Sequence, residues 1–195
     1  KTSTTYLLES VLSEAGRKTA LVGGVQCWHP GARFDSKLTT MESLDLQKFL
    51  AEAATAGAET VVMEVSSHAL SLHRVWGCEF QGMIFTNLYE DHLDFYGSME
   101  SYFQAKEILF CPPYRSLSTI AVANLDSDYG ARLVSDCPGN WVTFGKNKGD
   151  FPVVKSEFSE TGVSLEIQTP QEKVKIDSQL FGAFNEQNVA GVAVL

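Results

Sequence analysis

Four short segments of this 195-residue chain carry side chains suited to phosphate and hard-cation chemistry. Lys1-Thr2-Ser3 leads directly into a stretch with helical spacing of apolar residues. A lysine and a hydroxyl at a helix start are how a P-loop ends: the lysine reaches the β- and γ-phosphates and the hydroxyl binds Mg2+. Glu64, within Met63-Glu64-Val65-Ser66-Ser67-His68, closes an apolar run, where a carboxylate offers such a cation a hard oxygen. The segment FTNLYEDHLD, residues 85–94, gathers acids and His92 directly after another apolar run, making His92 a candidate metal ligand. Lys106 falls within a helical stretch, where a lysine ordinarily covers a solvated face. Each segment alone also has a plainer reading as a helix end, a strand-end charge or an Asp/Asn-rich turn. Ser66, Ser67 and His68 invite a hydrolase reading, which the lack of a G-x-S-x-G elbow argues against.

The elements that must position these residues follow from the apolar pattern. Residues 4–15 read as a helix ended by Gly16, and Thr19 to Val22 as a strand closed by Gly23-Gly24. Residues 25–42 read as a loop containing Pro30 and Gly31, and Ser43 as the N-cap of a helix reaching Ala56. Strands are expected at 59–66, 82–87, 118–123 and 141–144, and helices at 99–109, stopped by Pro112-Pro113, and 128–135. This alternation predicts an α/β fold in three layers, a mostly parallel sheet with helices on both faces. After Gly149, runs at 153–158, 163–168 and 174–178 alternate apolar and polar residues, which predicts a small antiparallel sheet before a helix resumes at Asn185. Ligands of open α/β sheets bind beyond the carboxyl ends of the strands, where Glu64 and His92 are expected.

A net charge of -9 argues against a nucleic-acid footprint, while small phosphates remain possible ligands of local loops and cations. Cys27, Cys78, Cys111 and Cys137 form no C-x-x-C pair, so four reduced thiols are expected. No apolar run reaches membrane-spanning length. The chain opens on a polar KTSTT without Met and stops inside a helical pattern, so it is expected to be one domain, 1–195, of a longer protein.

Taken together, KTSTT, MEVSSHAL, FTNLYEDHLDFYGSMESYFQAK and FGAFNEQN stand in the order and spacing of the central, ATP-binding domain of the Mur ligase family, which this chain resembles from end to end. MEVSSHALSLHRV and Thr39-Thr40 most resemble the branch that adds the third residue of the peptidoglycan stem peptide. The resemblance implies a P-loop-like central domain with its glycine-rich half and both flanking domains missing here. It implies a cytoplasmic, monomeric, ADP-forming amide ligase of cell-wall synthesis that uses ATP and Mg2+. Its substrates would be a UDP-muramoyl-dipeptide and a diamino acid, with meso-diaminopimelate favoured over L-lysine, and it would proceed through an acyl phosphate.

Residue by residue, the resemblance assigns phosphate contact to Lys1, Thr2 and Ser3, and metal ligation to Thr2, Glu64, His92 and Lys106. Lys106 corresponds to a lysine that the family carbamylates with CO2, which turns a cation into an oxygen donor acceptable to a hard metal. Thr39, Thr40, Ser66 and Arg74 correspond to contacts with the muramoyl-peptide substrate, Asn185 and Asn188 to the segment near adenine, and Asn87 and Asp91 to supports of the loop around His92. A folylpolyglutamate synthase-like ligase and a non-catalytic nucleotide-binding module are the alternatives.

Overall fold

Thr19–Val22 (β1) is buried on every residue, as a strand covered on both faces must be. The computed structural model describes all of residues 1–195, which divide into two compact units, Lys1–Cys78 and Glu79–Leu195. In the first unit, helix α1 (Thr2–Glu14) precedes β1, and β2 (Gln26–His29), β3 (Ala32–Asp35), α2 (Ser43–Thr55), β4 (Thr60–Met63) and α3 (Ser67–Ser71) follow. The sheet runs β3-β2-β1-β4, with β1 and β4 parallel and in register from Thr19 opposite Thr60 to Val22 opposite Met63. Leu21, Val22, Leu46, Phe49, Ala53 and Leu70 form its core.

Residues 25–42 are not wholly the expected loop. Antiparallel β2 and β3 form a hairpin turned by Pro30-Gly31, with His29 opposite Ala32. The strands are four residues long and β3 is exposed throughout, so the apolar alternation that announces a strand is lacking.

In the second unit β5 (Gly82–Phe85) leads through α4 (Leu93–Tyr96) and α5 (Met99–Glu107) to β6 (Ile120–Asn124), α6 (Asp128–Asp136), β7 (Trp141–Lys146), β8 (Phe151–Ser159), β9 (Gly162–Gln168), β10 (Lys173–Ser178) and α7 (Asn185–Ala193). The order is β10-β9-β8-β7-β6-β5, parallel from β5 to β8 and antiparallel thereafter. The mostly parallel sheet and the antiparallel strands are both present, but the latter extend the former and do not stand apart. The join is the parallel pair β7–β8, with Phe144 opposite Phe151. A parallel pair normally needs a crossover of a dozen residues. Here the chain turns back and then forward again within four residues, with Asn147 (φ 54°) and Gly149 (φ 88°) in left-handed conformations. A Cβ at Gly149 would lie 2.8 Å from the Thr143 carbonyl oxygen, and Asp150 Oδ2 clamps the turn by accepting from the Thr143 N–H at 2.9 Å and its hydroxyl at 2.7 Å.

Helix α5, which carries Lys106, is anchored along its N-terminal half. Ser98 caps it, accepting from the Ser101 N–H at 3.1 Å. Arg132 of α6 donates to both oxygens of Glu100 at 2.6 and 2.7 Å and stands over the Phe103 ring at 4.4 Å. These bonds hold the Glu100 carboxyl below its ordinary range, so the tie is complete at neutral pH and is lost as pH falls through that lowered value.

Two of the cysteines depart from the reduced state expected: Cys111 and Cys137 form a disulfide, their Cα atoms 5.6 Å apart. A separation of 26 residues gives no local signal, because the pair meets only after the chain has passed through β6 and α6. Closing a loop of that length constrains the unfolded chain by up to about 3.5 kcal/mol. Reduction with dithiothreitol is therefore expected to lower the urea midpoint of this chain. An unchanged midpoint would show that the bridge does not constrain the unfolded state. Cys27 and Cys78 are free thiols.

Candidate functional site

In the first unit, β1 and β4 end side by side, which brings their following residues together. Gly23-Gly24 follow β1 and Glu64 follows β4, and α1 begins close by. Glu64 is 2% exposed. Its Oε2 accepts from the Thr2 hydroxyl at 3.0 Å and its Oε1 from the Gly24 N–H at 2.9 Å. Gly24 was not singled out from sequence beyond closing a strand. Its role is carried by the backbone N–H, while the neighbouring Gly23 leaves room for the carboxylate, since a Cβ there would lie 3.0 Å from Glu64 Oε1 and 3.1 Å from Leu21 Cδ2. Helix α1 has no acidic residue in its first turn and no side-chain cap, so the N–H groups and dipole of that turn favour an anion near Lys1, Thr2 and Ser3. A carboxylate sharing a hydroxyl proton next to a helix N-terminus is a hard-oxygen donor pair, which fits Mg2+.

A second polar group lies behind Glu64. Thr40 is fully buried; its hydroxyl donates to the Glu64 carbonyl at 2.8 Å and accepts from the Ser66 N–H at 3.1 Å. The Ser66 hydroxyl caps α3, accepting from the Ala69 N–H at 3.1 Å. Arg74 donates through Nη1 to the Thr40 carbonyl at 3.2 Å and pairs through Nη2 with Glu42 at 2.6 Å, a partner that no sequence motif singles out. Its Nε is buried without a hydrogen-bond partner. Thus Thr40, Ser66 and Arg74 converge, with half-buried Thr39 beside them. Thr40→Val removes one donor and one acceptor from buried backbone groups and is expected to destabilise the chain by about 2–4 kcal/mol. Urea unfolding measures this, and a loss under about 0.5 kcal/mol, the size of a neutral surface change, would show that the network does not hold the strand end.

In the second unit, His92 takes a left-handed backbone (φ 54°) at the start of α4. Asp91 Oδ1 accepts the His92 N–H at 2.8 Å, and Asp91 Oδ2 lies 3.4 Å from His92 Nε2. One residue joins His92 to Lys106: the Tyr102 ring meets the His92 ring edge-on at 5.7 Å, and Lys106 Nζ stands over its face at 4.8 Å. The four-residue spacing of Tyr102 and Lys106 on a helix was the available sign. The ammonium form of Lys106 is no ligand for a hard cation; its carbamate would be. Asn185 is buried, donating through Nδ2 to the Phe181 carbonyl at 2.9 Å, and Asn188 Nδ2 donates to Asn185 Oδ1 at 2.9 Å. Asn87 Nδ2 donates to Gln187 Oε1 at 3.0 Å. No three His, Cys, Asp or Glu side chains converge as a ready metal cluster, and no helix is long and apolar enough to cross a membrane.

Comparison with known proteins places these groups in a family context. Residues 1–195 match the family described as the Mur ligase middle domain. The chain is 45% identical over 193 residues to the UDP-N-acetylmuramoyl-L-alanyl-D-glutamate–2,6-diaminopimelate ligase of Synechococcus elongatus, covering 98% of this chain and 38% of that protein. It is 41% identical to the ligase of the same name from Geobacter metallireducens, covering 100% of this chain and 40% of that one. A solved structure of such a ligase superposes with a TM-score of 0.84 at 27% identity, covering 98% of this chain and 40% of the other. The chain therefore spans about 40% of the length of these relatives.

Proposed function

Because this chain belongs to the Mur ligase family and matches its middle domain along its whole length, we propose that it is the ATP- and metal-handling part of a longer ligase. That ligase joins 2,6-diaminopimelate to UDP-N-acetylmuramoyl-L-alanyl-D-glutamate in the cytoplasm, and acts as a monomer. The observation that carries the reading is the buried Glu64 carboxylate sharing the Thr2 hydroxyl at the start of α1. It is the arrangement a Mg2+–nucleotide would need at a phosphate-binding helix end.

Lys1, Thr2 and Ser3 grip the phosphates, and Asn188 takes the base, held in place by the buried Asn185. Thr39, Ser66 and Arg74 orient the muropeptide, with the buried Thr40 fixing Ser66 and Arg74 from beneath. Thr2 and Glu64 would hold one Mg2+, and His92 with a carbamylated Lys106 a second; when bound, these ions would neutralise phosphate charge. A glutamyl carboxylate oxygen attacks the γ-phosphorus and ADP departs. The amino-acid nitrogen then attacks the acyl carbon, phosphate leaves, and the amine proton passes to solvent. Such chemistry depends on alignment and charge neutralisation, with no covalent enzyme intermediate. The names of the relatives favour diaminopimelate over lysine.

The test is ligation by the full-length protein with ATP, the UDP-muramoyl-dipeptide and either meso-diaminopimelate or L-lysine, followed by phosphate release and product mass. ATP-dependent product with diaminopimelate is expected. Product with lysine alone would overturn the substrate, and no product with either would overturn the activity.

A further inference from the structure

The bond between Asn87 and Gln187 joins residues 100 positions apart. Asn87 opens the loop 87–92, which runs from β5 to α4 and ends on His92. The residue before it is fixed, since Asn124 Nδ2 donates to the Thr86 carbonyl at 3.0 Å, and Leu88 is 7% exposed. Tyr89, Glu90 and Asp91 are exposed, and the bond from the His92 N–H to Asp91 shapes the loop without tying it to the sheet. Gln187 stands in the first turn of α7 between Asn185 and Asn188, and both partners of the bond line a cavity of about 230 Å3 shared with Tyr89, Asp126, Asp128 and Tyr129. Helix α7 does not need Gln187 for its seat: Val189, Ala190 and Val192 bury its apolar side, and Gln187 itself is half-buried.

We infer that Gln187 is a positioning residue: its side-chain carbonyl holds the Asn87 amide and so sets the loop that presents His92, coupling that loop to the α7 turn bearing Asn185 and Asn188. The chemical consequence rests on the function proposed above. A nucleotide held at that turn and a cation held at His92 then stabilise one another, because each orders the element the other uses.

The test compares Gln187→Leu, which removes the acceptor, with Gln187→Glu, which keeps an oxygen for the Asn87 N–H, in the full-length ligase. Loss of one hydrogen bond is expected to raise the half-saturating Mg2+ concentration and the KM for ATP about tenfold in Gln187→Leu. The KM for the muropeptide stays unchanged, the melting temperature falls by no more than about 4 °C, and Gln187→Glu restores most of the loss. A merely structural glutamine would move only the melting temperature and leave the Mg2+ requirement alone. Hydrogen exchange of amides 88–92 in the same proteins gives a readout independent of ligation and is expected to speed up in Gln187→Leu only. Unchanged exchange and unchanged Mg2+ requirement overturn the inference. If the wild-type protein does not ligate, the functional reading fails, while the exchange result still decides whether Gln187 holds the loop.

Discussion

Lys106→Ala in the full-length ligase is expected to abolish ligation, with a loss of at least about 10³-fold, or about 4 kcal/mol at the transition state. Lys106 is half-buried in the last turn of α5 and stands over the Tyr102 ring, a contact worth about 0.5–1 kcal/mol. A melting temperature measured on the same variant separates the loss of chemistry from any loss of fold. What alanine removes is the carbamate proposed to supply oxygens beside His92. The void left behind admits a small carboxylic acid, so formate or acetate should restore part of the rate. Arginine tests the opposite role: it keeps the cation and cannot form the carbamate, so Lys106→Arg should be as inactive as the alanine variant and should not respond to acids. Initial rates of phosphate release across an acid titration measure all three. Full activity of Lys106→Ala without additive, or wild-type activity of Lys106→Arg, would sink the carbamate role.

Much of this was legible in the sequence, for identifiable reasons. Thr19–Val22 and Asp128 as a helix start were placed by local pattern, because buried strands and helix ends carry their signals within a few residues. The β2–β3 hairpin was not, since strands of four residues with one fully exposed partner leave no periodicity to detect. The β7–β8 join broke a rule about crossover length, and only the Thr143–Asp150 clamp and the left-handed pair Asn147 and Gly149 permit it. The same division runs through the site. Glu64, His92 and Lys106 could be named because their motifs are contiguous. Gly24 and Glu42 lie outside those motifs, and Tyr102 and Gln187, though within quoted motifs, act through contacts that a motif does not show; the contact of Gln187 with Asn87 spans a distance along the chain that no local window covers.

Glu64→Gln separates holding the fold from handling the nucleotide. The buried carboxylate offers two acceptors, one to Gly24 and one to Thr2. An amide of the same shape can still accept the Gly24 N–H, which cannot turn round, and can donate to Thr2 Oγ1, which can accept as well as donate. Both partners stay satisfied, so the stability of Glu64→Gln should fall by no more than about 1 kcal/mol. Its chemistry should not survive. The negative charge is gone, and the Thr2 oxygen now spends a lone pair on the amide that a cation would otherwise use. A fall of about 10²–10³ in kcat, or about 3–4 kcal/mol, is expected, with a steep rise in the Mg2+ needed. Glu64→Ala should differ in kind: it leaves the Gly24 N–H unpaired beside a cavity and costs about 2–4 kcal/mol of stability in addition to activity. Urea unfolding and steady-state rates on the two variants measure the contrast. Should Glu64→Gln keep the wild-type kcat and Mg2+ requirement, Glu64 would be only the acceptor that ties Gly24 to Thr2, and the cation would have to be held elsewhere.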